Sequence, residues 1–234
     1  MMKKERIWEL DALRGLFILG MIIVHFTFDL SYIGGIDVNM PAWFEFIRSY
    51  GHVLFVLISG ICVTLASRSF QRGVIVFAAG LLVSYVTLFM EYVLHMTYLR
   101  IWFGILHMLG VCMMLYPLFK KLPHWALALL GACFVALGLW FQTLQVSVGY
   151  LFPIGLCSSK VYAGGDFFPI FPGLGWFLIG AALGKTVYRE KTSLLPNVNS
   201  EILILRILRF VGRHSLEFYL LHQPVLFLLT SLFV

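Results

Sequence analysis

WELDALRGLFILGMIIVHFTFDL, residues 8–30, is apolar along most of its length yet carries Asp11, Arg14, His25 and Asp29. An α-helix turns about 100° per residue, so eleven steps bring His25 to within about 20° of Arg14 and about 16 Å further along the axis. Asp11 stands three residues before Arg14 and Asp29 four after His25, near the same stripe. Ionisable groups at membrane depth are costly and usually face a bundle interior or a wet cavity. The stretch therefore predicts a membrane-spanning helix with one polar face, forming one wall of a polar shaft.

The rest of the chain shares this character. Its 234 residues are 61% hydrophobic and only 12% charged, more apolar surface than a soluble domain of that size can hide. The prediction is all-α: a polytopic membrane helix bundle of about seven transmembrane helices, roughly 8–30, 49–67, 73–94, 100–119, 124–143, 168–187 and 214–234. They are expected to form a single integral-membrane domain over residues 1–234. The first segment does not read as a cleaved signal peptide. It is too long, too polar on one face, and has no small-residue cleavage site before the polar turn at Ser31 to Asn39.

Orientation follows from the basic residues. With the N-terminus in the cytoplasm, the inner side receives Lys3, Lys4, Arg6, Arg68, Arg72, Lys120, Lys121, Lys185, Arg189, Lys191, Arg206, Arg209 and Arg213. The outer side receives Arg48, Arg100 and Lys160. This places the C-terminus outside. The net charge of +6 is thereby a topology signal, and no nucleic-acid partner is expected. The four cysteines have neither pairing nor metal-ligand spacing, so no disulfide and no metal are expected.

Two connections exceed what a hairpin needs. Residues 144–167 form an outer loop rich in glycine that ends at Asp166, just after Gly164 and Gly165. Residues 188–213 contain ILILRILRFVGR, in which Arg206, Arg209 and Arg213 recur at helical spacing among Ile, Leu and Phe. That pattern predicts a basic amphipathic helix in the inner interface, with membrane lipid as its partner. In GRHSLEFYLLHQPV, Gly212 is expected to break this helix and a new one to open at Arg213, His214 and Ser215. Free N–H groups at a helix start beside an arginine suit a phosphate.

His25 is the leading candidate for a general base, because imidazole exchanges protons near neutral pH. Asp29, one turn away, is expected to orient it, as the carboxylate of a catalytic triad orients its histidine. Helix rise puts His25 about 24 Å above the inner boundary and His107 about 20 Å, with His222 lower, at about 12 Å. His25 and His107 are thus expected at one level. Arg14, about one turn inside the cytoplasmic boundary, can grip a phosphate bidentately. Polar residues assigned to the outer side are Arg48, Tyr50, His52, Glu91, Arg100 and Asp166.

Five segments carry a resemblance: LDALRGLFILGMIIVHFTFDL, LISGICVTLASRSFQRG, ILHMLGVCMMLYPLF, DFFPIFPGLGWFLIGAALGK and GRHSLEFYLLHQPVLF. In that order they resemble the bacterial relatives of the heparan-α-glucosaminide N-acetyltransferase catalytic domain, over about residues 8–228. The opening also resembles the wider group that includes the acyltransferase-3 proteins, whose motif is an arginine, ten residues and a histidine. Arg14 and His25 reproduce that spacing. The resemblance implies a multi-pass enzyme of a bacterial inner membrane that passes an acetyl group from cytoplasmic acetyl-CoA to an amino sugar or other glycan acceptor outside.

The site expected on these grounds has His25, Asp29 and His107 in catalysis. Arg14, Arg213, His214, Ser215, Lys120 and Lys121 are expected at the coenzyme, and Asp166, His222 and His52 at the acceptor. A homo-oligomer is compatible with this reading. An extended phosphopantetheine arm is about 20 Å long, close to the Arg14–His25 separation. The competing class is a small-solute or ion-coupled transporter using the same shaft, but no inverted repeat of the kind common in such proteins is visible. A purely structural membrane protein would leave the charged stripe without a purpose.

Overall fold

The computed structural model describes residues 6–32, 34–36, 40–94, 100–157 and 166–233. Lys3, Lys4, Lys160 and the Gly164–Gly165 pair, which entered the sequence argument, lie outside the described residues. The fold is all-α, with no strand among the described residues. Its helices are α1 (Trp8–Tyr32), α2 (Ala42–Leu65), α3 (Ser69–Leu94), α4 (Ile105–Phe119), α5 (His124–Phe141), α6 (Ile170–Val187), α7 (Leu203–Arg213) and α8 (Ser215–Phe233), with a short 3-10 turn at Gly149–Ile154. Helices α1, α2, α3, α5 and α6 are long and apolar enough to cross a membrane; α4 is apolar but shorter.

Each expected span corresponds to a helix, with shifted ends. Helix α2 begins at Ala42 rather than 49, because Glu45 and Arg48 do not interrupt it. They pair with each other at 2.5 Å, one turn apart on its surface. Pro41 starts the helix, its carbonyl accepting the Phe44 N–H. Helix α4 begins at Ile105 rather than 100, because Gly104 is extended and ends the preceding irregular segment.

Polarity is inverted relative to a soluble protein. Glu9, Asp11, Asp29, His107 and His222 are buried, whereas Leu16, Ile23, Phe28, Leu81, Leu88 and Leu228 are exposed. That is the distribution a bundle adopts when its solvent is hydrocarbon.

The chain divides into two compact units, residues 1–58 with 190–234 and residues 59–189. In the first, α7 and α8 pack on α1. Gly15 and Gly212 lie where α7 meets α1: a Cβ on Gly15 would strike the Leu208 carbonyl oxygen, and one on Gly212 the Asp11 carbonyl oxygen. Backbones approach this closely only where both residues are small, the usual device for joining helices in lipid. Gly212 therefore does not break the basic helix as expected. It is helical, and the helix runs on to Arg213.

Helix α7 carries three faces. Val211 and Gly212 are buried, Leu203, Ile204, Ile207 and Phe210 are exposed, and Arg206, Arg209 and Arg213 line a third strip. Arg209 is held by the Ser200 carbonyl and the Glu201 carboxylate, both at 2.8 Å. In the second unit α3 packs on α4, and α5 on α6. Gly131 and Gly175 face each other there, each placed so that a Cβ would lie 2.8 or 2.6 Å from the other's carbonyl oxygen. Lys185 of α6 donates to the carbonyls of Lys120 and Leu122 at 2.7 and 2.6 Å, closing the C-terminal end of α4.

Candidate active site

The first unit holds polar groups at two levels of α1. Near its start, the Asp11 carboxylate is buried and accepts from three guanidinium groups: Arg6 through Nε at 3.1 Å and Nη2 at 3.3 Å, Arg14 through Nη2, and Arg213 through Nε at 3.4 Å. One carboxylate among three arginines leaves two positive charges uncancelled. The Arg14 Nε is buried without a hydrogen-bond partner. A buried guanidinium N–H and excess positive charge are what a phosphate group would satisfy. Just above the entry, Glu9 ties down the 190s segment by accepting from the Ser193 hydroxyl at 2.8 Å and the Leu194 N–H at 2.7 Å.

Helix rise places the second level about 16 Å further along α1 from Arg14. There the His25 ring faces that of His222, with centroids 4.9 Å apart and planes inclined by 60°. The His222 Nδ1 lies 2.5 Å from the Tyr219 carbonyl oxygen, and its Nε2 is buried with no partner. One turn beyond His25, the buried Asp29 receives the Gln223 amide on both oxygens at 3.1 Å. The Gln223 Oε1 is left buried and unpartnered.

This arrangement departs from the expected one in two respects. The group placed to orient His25 is bonded to Gln223, and the ring that meets His25 is His222. The latter is expected about 12 Å lower from helix rise alone. Gly212 docks at the level of Asp11, which by helix rise removes about half of that offset.

His107 belongs to the second unit. Its Nδ1 accepts the Gly104 N–H at 3.2 Å, closing the first turn of α4. An N–H can only donate, so Nδ1 is unprotonated and the ring proton sits on Nε2, 3.4 Å from the Ser84 hydroxyl oxygen. Ser84 in turn donates to the Ile101 carbonyl at 2.6 Å. Phe77 and Phe103 enclose the ring, and a Cβ at Gly80 would touch it at 3.0 Å. With both nitrogens engaged in this way, His107 closes the first turn of α4 as a helix cap.

The remaining candidates are dispersed. Asp166 lies against Gly104, where a Cβ would meet its Oδ2 at 3.1 Å, and the neighbouring Phe168 N–H donates to the Phe103 carbonyl at 3.1 Å. Arg100 pairs with Glu91 at 2.6 Å and lies over the Trp102 ring. Lys120 and Lys121 are exposed on the turn between α4 and α5. His52 is half-buried on α2. His214 is the junction between α7 and α8, 3.7 Å from Glu217, and Ser215 opens α8. Sequence reasoning does not assign site roles to Arg6, Asp11, Gln223 or the Tyr219 carbonyl. A signal for Gln223 does exist, since a carboxylate as deep as Asp29 requires a donor.

A family model described as heparan-alpha-glucosaminide N-acetyltransferase, catalytic, matches residues 6–224. None of the curated proteins matches the chain, and no solved structure does.

Proposed function

The chain belongs to the heparan-alpha-glucosaminide N-acetyltransferase catalytic family, a family of membrane acetyltransferases, and from that premise we propose that it moves an acetyl group from cytoplasmic acetyl-CoA to an amino-sugar or glycan acceptor on the outer side of a bacterial inner membrane. The observation that carries this reading is the two-level construction of α1. A cluster of three arginines on Asp11 stands at one end and His25, facing His222, at the other.

The chemistry fits that division. Coenzyme A is anionic at its nucleotide end and neutral at its thioester. Arg14 and Arg213, with His214 and the start of α8 at Ser215, take the phosphates; the excess charge and the unpartnered Arg14 Nε favour an anion there. The pantetheine arm covers the interval to His25, about 16 Å by helix rise. His25 acts on the acetyl carbonyl, and water is kept away by the apolar walls of the bundle. Asp29 and Gln223 brace the wall beside it rather than orienting His25 directly. The whole chain serves this one reaction as a single catalytic domain.

The test is sidedness. Protein is reconstituted in sealed vesicles of known orientation, with acetyl-CoA on one face and glucosamine as acceptor probe on the other. N-acetylglucosamine is expected only when the coenzyme faces the side carrying Arg14. Acetylation with both substrates confined to that side alone, and none across the membrane, would overturn transmembrane transfer.

A further inference from the structure

His222 Nδ1 is hydrogen-bonded to the Tyr219 carbonyl at 2.5 Å. A carbonyl oxygen only accepts, so Nδ1 carries the ring proton and the neutral ring presents its lone pair at Nε2. That atom is buried and bonded to nothing, and His25, though adjacent at 4.9 Å between centroids, does not supply the missing hydrogen. The next residue repeats the pattern. A carboxylate accepts, so the Gln223 amide must point its NH2 at Asp29, which leaves Oε1 as a second buried acceptor without a donor. Leaving such an atom unsatisfied forfeits the hydrogen bonds it would make in water. One on His222, facing His25, and one on Gln223, a turn away at Asp29, mark where donors are meant to bind. The acetyl end of a thioester has no N–H or O–H to give; an amine or hydroxyl acceptor does.

We propose that His222 is a second catalytic imidazole and that the two histidines divide the reaction, His25 carrying the acetyl group and His222 taking the proton of the acceptor. This rests on the acetyltransferase reading above. A lone pair of His25 attacks the thioester carbon, the C–S bond breaks, and the electron pair leaves on the coenzyme sulfur. The acceptor nitrogen or oxygen then attacks the acetyl carbon, the bond to His25 breaks and restores its lone pair, and the acceptor's proton passes to His222 Nε2. Returning that proton to the thiolate completes the balance, with acetylated acceptor and free thiol as the only products. The Tyr219 carbonyl is what keeps His222 in the tautomer able to receive a proton. Gln223 Oε1 holds the incoming donor group alongside.

The experiment uses full-length protein in detergent, acetyl-CoA, and glucosamine as acceptor probe. Without acceptor, the wild type and His222→Ala should each release about one equivalent of thiol per protein, and His25→Ala none. With acceptor, His222→Ala should lose on the order of 10²–10⁴-fold in acetyl transfer, the usual worth of a positioned base. Added imidazole should restore part of it. Coenzyme affinity and thermal stability of His222→Gln, which keeps polarity and similar bulk, control for folding. Wild-type transfer rates in His222→Ala, or loss of thiol release together with transfer, would overturn the proposal. So would a wild type that acetylates glucosamine but releases no thiol in its absence. A wild type that neither binds acetyl-CoA nor acetylates any probe would instead overturn the underlying acetyltransferase reading.

Discussion

Replacing Asp11 by asparagine separates what holds the arginine cluster together from what binds coenzyme. The Asp11 side chain is 3% exposed, and its three partners differ: Arg6 is 53% exposed, Arg213 38% and Arg14 21%. The first two pairs are screened by solvent and contribute about 0–1 kcal/mol each. The Arg14 pair is the one near the buried limit, where removing one partner costs about 3–5 kcal/mol. Because the asparagine amide retains one acceptor oxygen, the low end applies, and a net loss of about 3 kcal/mol is expected. For a chain of this length that lowers the melting temperature by about 6–12 °C. Binding should move the other way. Removing the carboxylate leaves three uncancelled positive charges where there were two, so affinity for coenzyme A is held or tightened, with a steeper salt dependence. Thermal unfolding in detergent across a coenzyme titration reads both quantities at once. An Asp11→Asn protein that melts like the wild type, or one that loses coenzyme affinity while keeping its melting temperature, would refute this account of the cluster.

Two further outcomes follow from the packing. Gly212→Val and Gly15→Leu should each prevent α7 from seating on α1, since the first added carbon already collides with a carbonyl oxygen; the expected loss exceeds the about 1–3 kcal/mol of ordinary overpacking. The same change at Gly51, whose nearest neighbour would be a side-chain carbon 3.7 Å away, should be mild by comparison in the same unfolding assay. His107→Phe should lower stability by roughly 1–3 kcal/mol through the unsatisfied Gly104 N–H and the lost Ser84 contact. Its acetyl transfer per folded molecule should remain near wild type, and an abolished reaction in well-folded protein would return His107 to the catalytic set.

The first helix is legible because its information is local. Helical periodicity and the cost of burying Asp11, Arg14, His25 and Asp29 act within one segment, and the structure keeps Asp11 and Asp29 buried while Leu16 and Ile23 face outward. What the sequence cannot supply is register. His222 and Gln223 stand almost two hundred residues from His25 and Asp29. Their levels are set by a backbone contact at Gly15 and Gly212 that leaves no mark on hydropathy or period. A glycine after a basic helix has the same signature whether it ends the helix or lets it touch a neighbour, which is why Gly212 reads as a stop. His107 reads two ways for a related reason. A histidine three residues into a helix caps it or catalyses depending on which backbone N–H lies beside it, and that is decided by the extended conformation of Gly104.

The meeting of Gly15 with Gly212 also has a consequence for biogenesis. A ribosome delivers His222 almost two hundred residues after His25, while everything between residues 59 and 189 forms a unit continuous in sequence. That middle portion has all its internal partners before the final helices emerge, whereas α1 must wait in the membrane with Asp11 and Asp29 lacking Arg213 and Gln223. An interrupted translation product thus contains His25 but neither the facing His222 nor α8. Until α8 is made, Asp29 lacks the amide that bonds both its oxygens, and its burial goes uncompensated.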